Sequence, residues 1–130
     1  MRKNLVMQLF NQHGSLFHKL LNYTQSLITH TAQTAVCNRF HTVDQRLCRF
    51  LLLSLDRLPS NELFLTQELI ANILGVRREG ITEAAGKLQQ AGLIQYSRGH
   101  ITVLDRQGLE ARVCECYQVV KTESERLMAA

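Results

Sequence analysis

The chain has 130 residues, of which 45% are hydrophobic and 20% charged, with a formal net charge of +4 at pH 7. These values are typical of one or two small globular domains with a modest core. No apolar run approaches the roughly 18 residues of a membrane span, and no secretory signal precedes the first helical pattern. We therefore expect a cytoplasmic protein with no membrane partner.

Two helices are predicted in the first forty residues. The first runs from Lys3 to Gln12 and stops at His13, and the second runs from Ser15 to about Asn38. The second helix has two adjacent apolar stripes, one of which consists of Leu16, Leu20, Tyr23 and Leu27. Two stripes indicate two packing partners, whereas the alternative is a simple amphipathic core helix.

A third helix is predicted after position 42. Thr42 and Gln45 match a capping box, and Pro59 ends the helical pattern. We expect Arg46 and Arg49 on the outer, solvated face of this helix. A short strand is predicted at residues 63–65.

The stretch from Thr66 to Ile94 is typical of two short helices joined by a tight turn. Thr66 can cap the first helix, and Gly75 supplies the left-handed residue that ends it. The inward faces are predicted to be Leu69, Ile70, Ile73 and Leu74 in the first helix, and Ile81, Ala84, Ala85 and Leu88 in the second. This is a helix-turn-helix pattern.

The second of these helices has polar side chains on its outer face near its N-terminal half. They are Arg77, Arg78, Glu79, Thr82, Glu83 and Lys87. In helix-turn-helix proteins this end enters the major groove, where arginine can donate two bonds to guanine and glutamate can accept one from the cytosine amino group. The alternative is an ordinary solvated helix face.

A hairpin is predicted directly after this helix. Short apolar runs at residues 93–96 and 101–104 flank a polar turn that contains Arg98, Gly99 and His100. In that position a hairpin is a wing, and Arg98 and His100 would lie at its tip, within reach of a phosphate backbone. For Arg98 the alternative is an ordinary turn residue.

One last helix is predicted beyond the wing. Asp105 can cap it, and its apolar positions extend to Val120. The polar residues 121–130 are expected to fray.

The four cysteines, at positions 37, 48, 114 and 116, lack the C-x2-C spacing of a zinc site. We expect buried or idle thiols in a reducing cytoplasm, with no metal and no cofactor. A metal or redox role for Cys114 and Cys116 together with histidines is the less favoured alternative.

No pattern of an enzyme active site is present in the sequence. The nucleophile elbow, the phosphate loop and the zincin motif are all absent. We therefore expect a protein that is not an enzyme.

From about Leu16 to Tyr117 the chain resembles the carboxy-terminal half of bacterial Crp/Fnr-type transcription regulators, which are related to the cyclic-AMP receptor protein. The matching residues are Thr66, Gly75, Arg78-Glu79, Leu88, Gly92-Leu93-Ile94 and the segment from Arg98 to Val103, and a subgroup shares the CECY sequence at 114–117. The resemblance implies a winged helix-turn-helix, a long dimerisation helix before it, and a two-fold symmetric promoter site.

The resemblance also implies site residues. By position, base edges would be read by Arg78, Glu79 and Glu83, phosphates would be held by Thr66, Gln67, Arg77, Thr82, Lys87, Arg98 and His100, and the dimer contact would be made by Leu16, Leu20, Tyr23 and Leu27. Glu83 departs from the family, whose type member has an arginine there, so the family's best-known half-site is not assumed. Gly80 and Gly86 each cost the recognition helix about 1 kcal/mol relative to alanine.

Together these patterns predict a mainly α protein with a small β-hairpin wing (α+β), a winged helix-turn-helix preceded by a long dimerisation helix. The expected divisions are N-terminal helices at 1–40, the DNA-binding domain at 41–118 and a polar tail at 119–130. The resemblance places a cyclic-nucleotide-binding-type sensor before the dimerisation helix, so we expect a fragment that lacks it or a regulator that has lost it.

The predicted function is sequence-specific regulation of transcription by a homodimer. Double-stranded DNA and a second copy of the chain are the expected partners, with RNA polymerase as a further candidate. The alternative is a winged-helix module that binds protein. Residues 60–104, which contain the helix-turn-helix and the wing, have four basic and four acidic side chains, and this lack of net positive charge favours the alternative.

Overall fold

The computed structural model describes residues 2–12 and 14–129, without the side chain of Phe10. Its elements in chain order are α1 (Lys3–Gln12), α2 (Gly14–Phe40), α3 (Val43–Arg57), β1 (Glu62–Leu63), α4 (Gln67–Leu74), α5 (Arg78–Gln90), β2 (Ile94–Ser97), β3 (His100–Val103), α6 (Arg106–Arg112) and α7 (Glu115–Ala129). The predicted mainly helical fold with a β-hairpin wing is confirmed. The predicted helix stop at His13 lies outside the described residues.

The chain divides into two units, Met1–Ala35 with Gln118–Ala130, and Val36–Tyr117. In the first unit, α1 has the predicted bounds, and α2 leaves much of its apolar surface uncovered. Helix α7 continues to Ala129 and buries Leu127, so the expectation of a frayed end after residue 120 is wrong. None of the described helices is long and apolar enough to cross a bilayer.

Helix α3 begins at the predicted capping box and forms the centre of the second unit. The Gln45 amide donates to Thr42 Oγ1 at 3.2 Å, and the Thr42 amide donates to Gln45 Oε1 at 3.1 Å. One face of the helix buries Leu47, Cys48, Leu51, Leu52 and Leu55. Arg49 is only 7% exposed, so its predicted outward position is wrong. Arg46 also turns inward, because its guanidinium donates to the Leu74 carbonyl.

The three strands form an antiparallel sheet in the order β1-β3-β2. Ile94 pairs with Val103 and Ser97 with His100, which leaves a two-residue turn at Arg98 and Gly99. The predicted hairpin is therefore confirmed. The short edge strand lies at 62–63, so it begins one residue earlier and ends two residues earlier than the predicted strand at 63–65.

The predicted last helix is two helices. Asp105 caps α6 through a hydrogen bond that its carboxylate accepts from the Gly108 amide at 3.0 Å. The backbone is extended at Val113, with φ −69° and ψ 152°, and α7 begins two residues later. A helical turn cannot include an extended residue, so α6 ends before Val113 and a separate helix begins after it.

A hydrogen-bond network joins α3, α6 and the first turns of α7. The Tyr117 hydroxyl donates to Asp56 Oδ2 at 2.8 Å and accepts from Arg106 Nη2 at 3.0 Å, while Arg106 also pairs with Asp56. Burial raises the pKa of Tyr117 to about 12, with a further contribution from its bond to Asp56. The network therefore holds α6 and the start of α7 against the end of α3.

Candidate nucleic-acid interface

The helix-turn-helix is formed by α4, a tight turn and α5. Thr66 Oγ1 accepts a hydrogen bond from the Leu69 amide at 3.2 Å, which caps α4 as predicted. Gly75 then takes φ 68° and ψ 35°, a left-handed conformation that costs a non-glycine residue about 1 to 2 kcal/mol. Helix α5 begins three residues later, after Arg77 in an extended conformation.

The inner face of α5 is the predicted one. Its buried residues are Ile81, Ala84, Ala85 and Leu88, and the helix packs against α3, α4 and β2. The two alanines allow a close approach of the neighbouring elements, because they place only a methyl group in the contact. The opposite face of α5, with Arg78, Glu79 and Thr82, is exposed to solvent.

The inner face of α4 differs from the prediction. Ile70 and Ala71 are buried, whereas Leu69 is 44% and Ile73 is 55% exposed. This helix has only eight residues and packs chiefly against α5, so only a narrow stripe of it is covered. Leu69 and Ile73, four residues apart, leave an apolar strip on its outer surface.

Arg78 and Arg98 line one cleft between the helix-turn-helix and the wing. The cleft has a volume of about 570 Å³, and its other walls are formed by Thr66, Gln67, Glu68, Tyr96, Ser97 and Gly99. Gly99 has φ 73°, which lets the two-residue wing turn present Arg98 toward this space. The structure thus brings together four of the predicted site residues, at positions 66, 67, 78 and 98.

A hydrogen bond across the two helices orients one of these side chains. Thr82 Oγ1 lies 2.5 Å from Gln67 Oε1 and 3.1 Å from the Arg78 carbonyl oxygen. A hydroxyl has one proton to donate, so these two acceptors share it. Since the Gln67 oxygen accepts from Thr82, the donor that this side chain offers is its amide nitrogen.

Two predicted phosphate ligands have other partners. Lys87 Nζ lies 3.3 Å from Glu83 Oε1 and 3.5 Å from Asp44 Oδ2, and the hydrogen bond to Glu83 is the main cause of its raised pKa. His100 stacks on Phe64 with ring centroids 4.8 Å apart. Neither side chain lines the cleft.

His100 is held on the β1 side of the sheet. The Nε2 atom of His100 lies 3.6 Å from Glu62 Oε1 on β1, and the imidazole ring stacks on Phe64, which follows β1. The sequence placed His100 at the tip of the wing, but the register makes it the first residue of β3, opposite Ser97. Only Arg98 and Gly99 occupy the turn itself.

The remaining predicted residues lie on the surface, and all of them except Leu16 are exposed. Arg77, Glu79 and Glu83 lie on the outer surface at the start of α5 and one turn along it. On α2, Leu20, Tyr23 and Leu27 are 43%, 53% and 47% exposed, and Leu16 is half-buried.

Sequence reasoning missed two contributions to the site. Tyr96 and Ser97 of β2 line the cleft, and the Tyr96 amide donates to Gln89 Oε1 at 2.8 Å, which ties the wing to the end of α5. Nothing in the spacing of Gln89 and Tyr96 indicated this bond. It depends on how β2 turns back along the helix.

A second group of residues is gathered away from the cleft. The ligand atoms of Cys37, His41, Cys114 and Cys116 all lie within 4.8 Å of one another. All four cysteines of the chain are buried, as predicted. No C-x2-C spacing indicates this grouping, because it combines two pairs of residues that lie more than 70 positions apart in the sequence.

Comparison with known protein families supports the helix-turn-helix assignment. Residues 45–112 match the model of the Crp-like helix-turn-helix domain. No curated protein matches the chain.

Solved structures give the same result. A transcriptional regulator of the Crp/Fnr family from Eubacterium rectale is 37% identical over 70% of this chain and 44% of that one, with a TM-score of 0.60. FixK2 from Bradyrhizobium japonicum is 19% identical over 88% of this chain and 60% of that one, with a TM-score of 0.74.

The catabolite activator protein of Thermus thermophilus is 17% identical over 91% of this chain and 50% of its own length, with a TM-score of 0.50. The chain therefore spans between 44% and 60% of these three structures. The last two likenesses, below 25% identity, concern the fold alone. The domain match and the fold together place the chain in the Crp/Fnr family of DNA-binding transcription regulators.

Proposed function

We propose that the chain regulates transcription in the cytoplasm by binding a two-fold symmetric promoter site as a homodimer. Helix α5 enters the major groove, and the wing contacts the adjacent backbone. The observation that carries this proposal is the cleft in which Arg78 of α5 and Arg98 of the wing face the start of α4.

Local charge in the cleft supports phosphate binding although the domain is neutral overall. Arg78 and Arg98 supply two positive charges, and the first backbone amides of α4 add the positive end of a helix dipole. Glu68 is the acidic residue in the same cleft and reduces this attraction. We infer that Arg98, Gln67 and Thr66 hold phosphates, with Arg77 on the exposed flank of α5.

Base reading is assigned to the first turn of α5. Arg78 and Glu79 are exposed there and present a donor pair and an acceptor to base edges. Glu83 lies one turn along and pairs with Lys87, which competes with cytosine for the Glu83 carboxylate. We therefore expect Glu83 to discriminate less strongly than Arg78.

Dimerisation is assigned to α2. Leu20, Tyr23 and Leu27 recur at helical spacing and are each more than 40% exposed. Apolar side chains in a continuous stripe favour helix pairing, since burial of the stripe removes it from water. A dimer of this kind can present two copies of α5 to successive major grooves about one DNA turn apart.

The proposal is tested by selection from a pool of random duplexes, followed by sequencing, with the chain's molar mass measured in parallel. Enrichment of an inverted repeat by a dimer supports it. Arg78→Ala should relax base preference at one position of each half-site and cost about 1 to 3 kcal/mol on the enriched site. Equal losses on enriched and random DNA would contradict the role given to Arg78.

A protein-binding winged helix is the second candidate. It is favoured by the equal numbers of acidic and basic side chains in residues 60–104 and by the exposed apolar pair Leu69 and Ile73 on α4. A stable dimer that enriches no sequence and binds DNA only weakly would favour this candidate. A sensor domain of the kind that the family resemblance implies would add effector control to either function.

A further inference from the structure

We propose that Cys37, His41, Cys114 and Cys116 form a structural site for one tetrahedral zinc ion. Cys37 lies in the last turn of α2 and His41 just beyond it, Cys114 lies between α6 and α7, and Cys116 lies in the first turn of α7. All four residues belong to the unit Val36–Tyr117. Three cysteines and one histidine are a ligand set that structural zinc sites use.

The distances between the ligand atoms fit a single ion. Cys37 Sγ lies 3.6 Å from Cys114 Sγ, and Cys116 Sγ lies 3.4 Å from His41 Nδ1. In a tetrahedral site with bonds of about 2.3 Å to sulfur and about 2.0 Å to nitrogen, the corresponding separations are about 3.8 Å and about 3.5 Å. Small movements of the side chains are enough to centre an ion among them.

The backbone geometry explains how Cys37 and His41 come to face Cys114 and Cys116. Cys37 and His41 are four residues apart, and the His41 amide donates to the Cys37 carbonyl at 3.0 Å, so a helical turn places both side chains on one face. The extended Val113 redirects the chain between α6 and α7. That break lets Cys114 and Cys116, two residues apart, both point at the same place.

The histidine already has the outer partner that metal-bound imidazoles commonly use. His41 Nε2 lies 3.1 Å from Glu115 Oε1, while Nδ1 faces the sulfur of Cys116. A carboxylate that accepts the Nε2 proton fixes the tautomer that leaves the Nδ1 lone pair for the metal. Glu115 lies between the two cysteines of the second pair, so one short segment supplies two ligands and this carboxylate.

Burial and charge favour a closed structural site. Cys37, Cys114 and Cys116 are 0%, 4% and 0% exposed, and all four ligands come from the protein, which leaves no open position for a substrate. A zinc ion with three thiolates and a neutral imidazole has a net charge of −1. Arg49, which is only 7% exposed, is a buried positive charge in the same unit.

Metal binding also changes the protonation of the thiols. Zinc binds cysteine as the thiolate, so each ligand thiol must give up its proton when the ion binds. The ion replaces the proton of each of the three thiols, and the three protons go to solvent. No electron is transferred, because Zn²⁺ has no redox chemistry in this setting.

The test uses the full chain, purified in reductant and freed of metal. Zn²⁺ affinity is measured by competition with a chromophoric chelator, and Co²⁺ is added separately as a spectroscopic probe. We expect one Zn²⁺ per chain with a dissociation constant below about 100 nM. The cobalt form should show the intense visible bands of a tetrahedral ion and thiolate-to-metal charge-transfer absorption.

Two variants and one control locate the site. Cys116→Ser should lose most of the affinity and part of the charge-transfer absorption, whereas Cys48→Ala should keep both, because Cys48 is buried outside the cluster. Glu115→Gln should weaken zinc binding by about 10- to 100-fold. Glu115 is 71% exposed, so this variant tests the site even where Cys116→Ser fails to fold.

Some results would overturn the proposal. They are cobalt binding without tetrahedral bands in the wild-type chain, zinc affinity that Cys116→Ser and Glu115→Gln leave unchanged, or a chain that takes up no metal under reducing conditions. A disulfide between Cys37 and Cys114 that forms in aerated buffer, with dissolved oxygen as the oxidant, and that added Zn²⁺ does not prevent would also overturn it, in favour of a redox pair.

Discussion

Replacement of Arg98 by alanine tests whether the wing contacts phosphate. The side chain projects from the two-residue turn into the cleft that also holds Arg78, and it has no base-reading role in the proposed complex. If each chain of a dimer loses one phosphate contact, the complex loses two. The slope of log K against log salt concentration should then fall in magnitude by about 1.8.

The same counterion release sets the loss of affinity. Two contacts contribute about 2 kcal/mol at 0.15 M salt, so the dissociation constant of Arg98→Ala should rise roughly 30-fold. The loss should be equal on the enriched site and on random duplex DNA, because phosphates are common to both. Fluorescence anisotropy titrations at four or more salt concentrations measure both quantities.

Arg57→Ala is the matched control. Arg57 is an exposed arginine at the end of α3, and it lines a different cleft with Phe64 and Leu65. Its loss should leave the salt slope unchanged. If Arg98→Ala weakens only the enriched site, or weakens binding with no change of slope, the phosphate role of the wing is wrong.

Three further predictions concern the recognition helix, the dimer and the turn. Thr82→Val removes the hydroxyl that bridges α5 to α4. In the same titrations it should weaken DNA binding about two- to tenfold on all sequences, which is the loss expected for one neutral hydrogen bond. Thr82→Ser keeps the hydroxyl and should bind DNA with the wild-type affinity. Leu20→Glu should convert a dimer to a monomer in light scattering, whereas the exposed Gln25→Glu, with the same change of charge, should not. Gly75→Ala should lower the free energy of unfolding in urea by about 1 to 2 kcal/mol through its φ of 68°, whereas Gly86→Ala, in an open helical position, should raise it by up to about 1 kcal/mol. Loss of stability in both glycine variants would contradict the conformational reason given for Gly75.

Local features of the fold could be predicted from the sequence. The capping threonines at 42 and 66, the left-handed Gly75 and the buried face of α5 all depend on residues within a few positions of one another. A helix cap or an i, i+4 stripe is stable for reasons present in one short segment. The family resemblance then gave the function of that segment, and the domain match confirmed the family.

The division of the last helix was not predicted, and its reason is partly tertiary. Residues 106–120 have a nearly continuous helical pattern, yet the backbone is extended at Val113. Tyr117 is then placed where its hydroxyl meets Asp56 and Arg106. Helical periodicity does not reveal a break that depends on contacts made with another helix.

The partners of charged and sulfur-containing side chains were decided only by the tertiary structure. Lys87 pairs with Asp44 of α3 as well as with Glu83, and Cys37 meets Cys114 across 77 positions of sequence. Composition and spacing give the kinds of ligands and charges that a chain contains. Which of them meet depends on how distant helices pack, and packing brings together residues that no short segment of sequence relates.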